Sequence, residues 1–321
     1  MNNPNSPHAS TYQSESAHEP QSNDQRPVWV FSLLFLLSLI AFLLFTGRKE
    51  IARWYVASAR NAIQDERYEE AVSAANNGLK WNPDYTDLFE IRAMANLKLK
   101  NYEACLEDYD RMLEVAASDG VENEADMGPR MTKASVLQLM NRYDDAIAVW
   151  DEIVKYRKEQ YRLRDDSESQ YAYALSLNNR AYTEAQAWTL EEDSVDIKES
   201  LADIQLAMEI RGDVDDPVMI DTLGYLMLLN GDHEEALQQL ELAVELTEKE
   251  NEALKTRFLN EMQHVVDQRP YQDALERIDQ QFSVILHHRG EAYAALGEEE
   301  KADADIAKAI ELGFNPDEGI W

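Results

Sequence analysis

The chain carries one cysteine in 321 residues, Cys105, so an intramolecular disulfide and a thiolate zinc cluster are both excluded. Glycine (11) and proline (9) are nearly as scarce, which disfavours turn-rich all-β folds and suits long helices joined by short connections. Basic residues are few as well. Thirty lysines and arginines stand against 62 acidic residues, a net charge of −32. A surface so acidic repels phosphate backbones, so nucleic acid is not an expected partner, whereas proteins or peptides of basic character are. The glutamate-rich helix faces also serve solubility. Glycine-rich phosphate loops, nucleophile elbows and zinc-protease helix motifs are absent from the sequence. Chance carboxylate pairs are no sign of catalysis in so acidic a chain; neither an enzyme nor a cofactor is expected.

Residues 1–27 are rich in Asn, Ser, Gln, His and Pro and show no apolar periodicity. Such a tail cannot bury enough surface to offset its ordering entropy and is expected to be disordered. Val28 to Phe45, VWVFSLLFLLSLIAFLLF, follows with two serines and no charge. Extended to Gly47 it covers roughly 30 Å as a helix, so residues 28–47 are predicted to cross a membrane once, with Trp29 at one interface. A cleaved signal peptide would have a shorter apolar region and a small-residue cleavage site; here Thr46-Gly47-Arg48-Lys49-Glu50 follows. Arg48, Lys49, Arg53 and Arg60 on the C-terminal flank outweigh Arg26 on the other, which places residues 48–321 on the cytoplasmic side. An anchor of the opposite sense, with an exported domain, is the alternative.

Past the anchor one spacing recurs: a small residue, another twelve positions on, and a small or apolar residue seven after that. It reads Ala59, Ala71, Gly78; Ala93, Cys105, Met112; Ala134, Ala146, Ile153; Gly224, Ala236, Ala243; and Gly290, Ala302, Ala309. A ring stands three residues before the middle member in four of the five, at Tyr68, Tyr102, Tyr143 and His233. A sixth unit, Ala181, Ser200, Ala207, fits if seven extra residues are allowed around Thr189 to Asp196. Antiparallel helices approach closely only where side chains are small, so each unit reads as a helix pair, with apolar residues such as Leu223 and Leu240 filling the space beside it. One pair cannot bury its own apolar face, and pairs therefore stack. Four longer segments interrupt the array: Glu114 to Asp126, Lys155 to Gln170, the insertion at Thr189, and Thr247 to Gln281. Lys155 to Arg164 reads as a helix extension. Pro270 to Leu275, PYQDAL, looks like the start of a second helix and leaves a degenerate seventh pair open. Trp54, Trp150 and Trp188 read as packing residues.

IDTLGYLMLLNGDHEEALQQLELAVEL (Ile220 to Leu246), HHRGEAYAALGEEEKADADIAKAIEL (His287 to Leu312) and ARNAIQDERYEEAVSAANNGLKWNPD (Ala59 to Asp84) resemble tetratricopeptide repeats. Cys105 and Ser200 depart from the usual alanine. The resemblance covers most of Ile51 to Pro316 and implies an all-α solenoid of about six helix pairs behind the transmembrane helix. It also implies a concave groove lined by the first helix of each pair. By matching position the groove side is expected to include Arg60, Met94, Ser135, Asn178, Asn179, Tyr182, Asp221, Tyr225, His287, His288 and Glu291. Rings there supply rigid contact area, and amides can bond a peptide backbone. A carboxylate clamp of the kind some relatives carry is not expected around Asn179, because Met131, Ser135, Val218 and Thr222 offer no cation. His287 and Glu291 share a helix face, but two ligands do not make a metal site; groove lining or helix capping is the expected role. The implied function is a membrane-anchored scaffold that holds partner proteins or peptides in the groove. A self-associating structural subunit of a membrane or envelope complex, and an enzyme hidden in residues 247–281, are the alternatives.

Overall fold

The computed structural model describes residues 28–117, 126–164, 166–191, 194–212, 215–261 and 269–315. The polar tail expected to be disordered, 1–27, lies outside them, as does part of the interruption before Asp126. The chain divides into two units, 1–51 and 52–321.

Among the described residues there are twelve α-helices and no strand. In chain order they form six pairs: α1 (Val28–Gln64) with α2 (Tyr68–Trp81), α3 (Thr86–Lys98) with α4 (Tyr102–Ala117), and α5 (Met127–Leu139) with α6 (Tyr143–Arg164). Then come α7 (Ser167–Leu190) with α8 (Ile197–Arg211), α9 (Pro217–Asn230) with α10 (His233–Glu261), and α11 (Arg269–Ala295) with α12 (Glu299–Glu311). The pairing follows the small-residue spacing. A Cβ on Gly224 would stand 2.8 Å from Leu240 Cγ, and one on Gly290 2.9 Å from Ile306 Cγ1, so these helices touch closely enough to need a missing side chain.

The turns within pairs repeat a second rule. Five residues before each middle small residue the backbone is left-handed, at Glu66 (φ 57°), Lys100 (59°), Asn141 (55°), Gly231 (89°) and Gly297 (76°). In each turn the next residue's N–H reaches back five positions, as from Arg67 to Ala62 at 2.8 Å and from Asp232 to Met227 at 2.9 Å. This closure satisfies a carbonyl that the first helix leaves open. In the α7/α8 pair, with its seven extra residues, Asp196 caps α8 through the Lys198 N–H at 3.0 Å.

Arginine and aspartate mark three of the pairs at matching positions. Arg92 bonds Asp108 at 2.5 Å and Arg289 bonds Asp305 at 2.7 Å, each spanning 16 residues. Arg180 bonds Asp203 at 2.5 Å across 23, so the excess equals the insertion. Burial raises the pKa of the Asp108 and Asp203 carboxyls, and the bonded arginines pull partly against it. Cys105, the departure from alanine in the second pair, is fully buried, and burial pushes its thiol up to about 12.

The interruptions are mostly helix. Lys155 to Arg164 extends α6, where Tyr161 stacks on Tyr173 at 5.7 Å. The described residues of Thr247 to Gln281 extend α10 and begin α11, tied by Asn251 Nδ2 donating to Asp279 at 3.3 Å. Pro270 to Leu275 therefore opens a first helix, and no seventh pair forms. Trp150 is buried and Trp188 packs on the largest core cluster, but Trp54 is 65% exposed. It lies in α1, the first of the described helices.

Among the described residues no helix is long and apolar enough to cross a membrane. Seven side chains of the 28–47 stretch, at 28, 29, 41 and 43–46, lie outside the described set. Within the stretch, every position from Phe31 to Ile40 is exposed.

Candidate functional site

The first helices are neighbours along the array, and their facing sides carry most of the polar residues singled out in the sequence. Between α9 and α11, His288 Nδ1 donates to the Asp221 carboxylate at 3.0 and 3.1 Å. The two side chains are only 5% and 6% exposed. The Tyr225 ring stacks on His288 at 3.8 Å with 10° between planes, and Tyr182 of α7 approaches the imidazole at 6.0 Å. Burial pushes both phenols above their ordinary range. The cluster thus joins three consecutive first helices through one buried acid–base pair and two rings.

Next to it lies a cavity of about 120 Å³, walled by Asn178, Asn179 and Tyr182 of α7, Asp221 and Thr222 of α9, and Ile285 of α11. Its volume suits one inserted side chain rather than a cofactor. Asn178 is 2% exposed; its Nδ2 donates to Asn179 at 3.4 Å, while its Oδ1 has no hydrogen-bond partner. A buried acceptor without a donor carries its full desolvation penalty.

Across the inner wall a second cavity of about 460 Å³ opens between Lys98, Thr132 and Ser135 on one side and Gln280, Ser283 and Phe314 on the other. The middle of α11, residues 280–285, therefore runs between the two cavities. This part of the site was not read from the sequence. Its signal was the position of Gln280 and Ser283, about two turns and one turn before His287 on one helix.

The other candidates fall apart from this centre. Arg60 is exposed and paired to Asp87 at 3.0 Å, and Met94 is 45% exposed. Ser135 donates to the Met131 carbonyl at 3.2 Å at the edge of the larger cavity. His287 lies in the interior of α11, so it caps nothing, and its ring packs on Phe314 at 4.1 Å. Its Nδ1 stands 3.8 Å from Glu291, too far for a hydrogen bond, and burial together with the charge of His288 holds its pKa down at about 4. Burial raises the Glu291 carboxyl. Among the described residues no group of three or more His, Cys, Asp or Glu is placed to hold a metal ion.

The model of the tetratricopeptide repeat matches residues 284–313, the C-terminal half of α11 with α12. The match covers 30 of the 321 residues. The preceding pairs share the last pair's small-residue spacing, and four of them share its left-handed turn. RapI in its apo form has a similar fold, with a TM-score of 0.52 at 12% identity over 81% of this chain and 97% of that one. A tetratricopeptide repeat protein from Parabacteroides merdae aligns over 83% of this chain and 95% of its own, at 11% identity and a TM-score of 0.49. At these identities the likeness is one of fold. No curated protein matches the chain by sequence.

Proposed function

We propose that the chain is a protein-interaction scaffold whose tetratricopeptide wall of α7, α9 and α11 takes an extended segment of a partner protein. The observation that carries this reading is the side-chain-sized cavity shared by three first helices, lined in part by Asn178, whose buried Oδ1 has no hydrogen-bond partner. An extended peptide supplies backbone N–H donors at regular intervals and side chains between them, which is the chemistry this wall lacks. The acidic balance of the chain favours basic partner segments. Short peptides selected from a random library for binding to the full chain should bind about tenfold more weakly to Asn178→Leu, the loss of one hydrogen bond. Unchanged affinity would place their binding elsewhere.

In this reading residues 28–47 hold the scaffold in a membrane, with the repeats on the cytoplasmic side. The support is physical: phenylalanines, leucines and an isoleucine fill eight of the ten positions from Phe31 to Ile40, all exposed, and water does not tolerate such a surface. Arg48 and Lys49 follow at once. Tethering raises the local concentration of weakly held partners. On intact cells an impermeant thiol reagent is expected to label Ser6→Cys and not Asn315→Cys. The reverse pattern would export the repeats, and labelling of both would remove the anchor.

A further inference from the structure

The cationic residues of this acidic chain are not evenly spread. From Lys155 to Arg164, the extension of α6, there are five lysines and arginines (155, 157, 158, 162 and 164) and one acid, Glu159, in a chain with twice as many acids as bases. Lys155, Lys158, Arg162 and Arg164 are exposed. Between the last two, Leu163 is 70% exposed, and Tyr171 at the start of α7 is 44% exposed. Arg211, at the end of α8, lies over the Tyr171 ring at 4.8 Å and adds a cation to the same end of the stack. Cations in a final helical turn complement the helix dipole, which accounts for Arg162 and Arg164. It does not account for Lys155 and Lys158, nor for an apolar side chain held out between two arginines. The acidic neighbours are Glu159, which accepts from Arg162 at 3.4 Å, Asp165 and Asp166 next in the sequence, and Asp203, which interacts with Lys158.

Position gives this tip a partner. Helices alternate in direction, so α2 and α6 both end at the edge where the chain enters the repeats at Ala52; Gly78, near the end of α2, packs on Tyr55 near that entry. Counted from the matching residues Ala71 and Ala146, α2 ends at Trp81 and α6 at Arg164, eight residues or about 12 Å further toward that edge. Trp54, 65% exposed, and Trp81, 39% exposed, lie toward the same edge. On the anchored reading, only four residues separate Gly47 from Ala52, so Ala52 itself lies within about 17 Å of the bilayer surface.

We propose that the α6 tip docks on an anionic lipid surface, with Lys155, Lys158, Arg162 and Arg164 meeting headgroups and Leu163 entering the interfacial layer. This rests on the anchored reading. It reconciles a strongly acidic protein with the bilayer it is tied to: the tip turns cations toward the lipid, while the remaining acidic surface is repelled from it. Docking would set the direction from which the groove faces partners.

The test uses the full chain in nanodiscs with an environment-sensitive fluorophore on Leu163→Cys, and a control on Leu190→Cys at the opposite end of α7. Cys105, fully buried, does not compete for label. Co-elution with the discs is read first; a chain that stays out of them overturns the anchored reading and the docking with it. With the chain in the discs, emission from position 163 should shift to the blue when phosphatidylglycerol is present, and not in phosphatidylcholine alone, while position 190 stays unchanged. Each cation replaced by glutamine should lower the docked-to-free ratio about fivefold, as a charge near an anionic surface contributes about 1 kcal/mol. An inserted chain whose position 163 ignores phosphatidylglycerol, or responds equally to both lipids, overturns the docking and leaves the anchor standing. A response to polyglutamate alone makes the occupant an acidic protein and also overturns it.

Discussion

His288→Leu is expected to destabilise the repeats by about 3 kcal/mol, because it leaves the Asp221 carboxylate buried with nothing to receive its charge. The pair ties α9 to α11, and the Tyr225 ring that stacks on the imidazole loses its partner too. Removing both charged groups should cost far less. The double variant Asp221→Leu/His288→Leu is expected within about 1 kcal/mol of the parent, since apolar replacements of a buried pair are often neutral or better. Denaturant titration of the four proteins completes the cycle. Equal losses in the single and double variants would show that the imidazole acts by packing and that its bond to Asp221 contributes little.

His287 should make stability depend on pH. Its folded pKa, near 4, lies below the ordinary value of 6.5, so the folded state refuses a proton that the unfolded chain accepts. The stability tied to its neutral form is complete above pH 6.5 and is lost as pH falls toward 4. A shift of this size corresponds to about 3 kcal/mol at full expression. Glu291, with its pKa raised by burial, acts in the opposite sense, because its folded carboxyl takes up a proton before the unfolded one does. His287→Phe isolates the histidine: its advantage over the parent should grow by about 2–3 kcal/mol between pH 7 and pH 4. A constant difference would place the imidazole in water.

The helix pairs were legible because close packing of antiparallel helices demands small residues at fixed intervals, and Gly224 against Leu240 shows that demand at 2.8 Å. Two further regularities stood in the sequence and were not read. The residue five before each middle small position takes the left-handed turn, yet only Gly231 and Gly297 announce it; Glu66, Lys100 and Asn141 do so without glycine. Arginine and aspartate at Arg92/Asp108, Arg180/Asp203 and Arg289/Asp305 would have fixed the seven-residue insertion independently of the small residues. Pro270 misled through its sequel, because Asp273-Ala274-Leu275 echoes the Glu-Ala-Leu of Glu235 to Leu237. A proline in the first turn of a helix is compatible with either member of a pair.

The site was legible by position and not by depth. Asn178, Tyr182, Asp221, Tyr225 and His288 come together as the repeat register implies, but burial of Asp221 and His288 as a bonded pair depends on contact across 67 residues. No local pattern encodes that. The larger cavity depends likewise on α11 lying opposite Thr132 and Ser135 of α5, which follows from the stacking of pairs.

The measurement that bears most directly on the scaffold is photo-crosslinking in living cells from a benzoylphenylalanine at Gln281, on the cavity wall, compared with one at Glu199 on the exposed side of α8. Position 281 should capture a partner protein through one short linear segment, with the adduct lost in Asn178→Leu and no equivalent from position 199. Adducts from position 199 with none from 281 would put the interaction on the outer helices and contradict a peptide-binding wall.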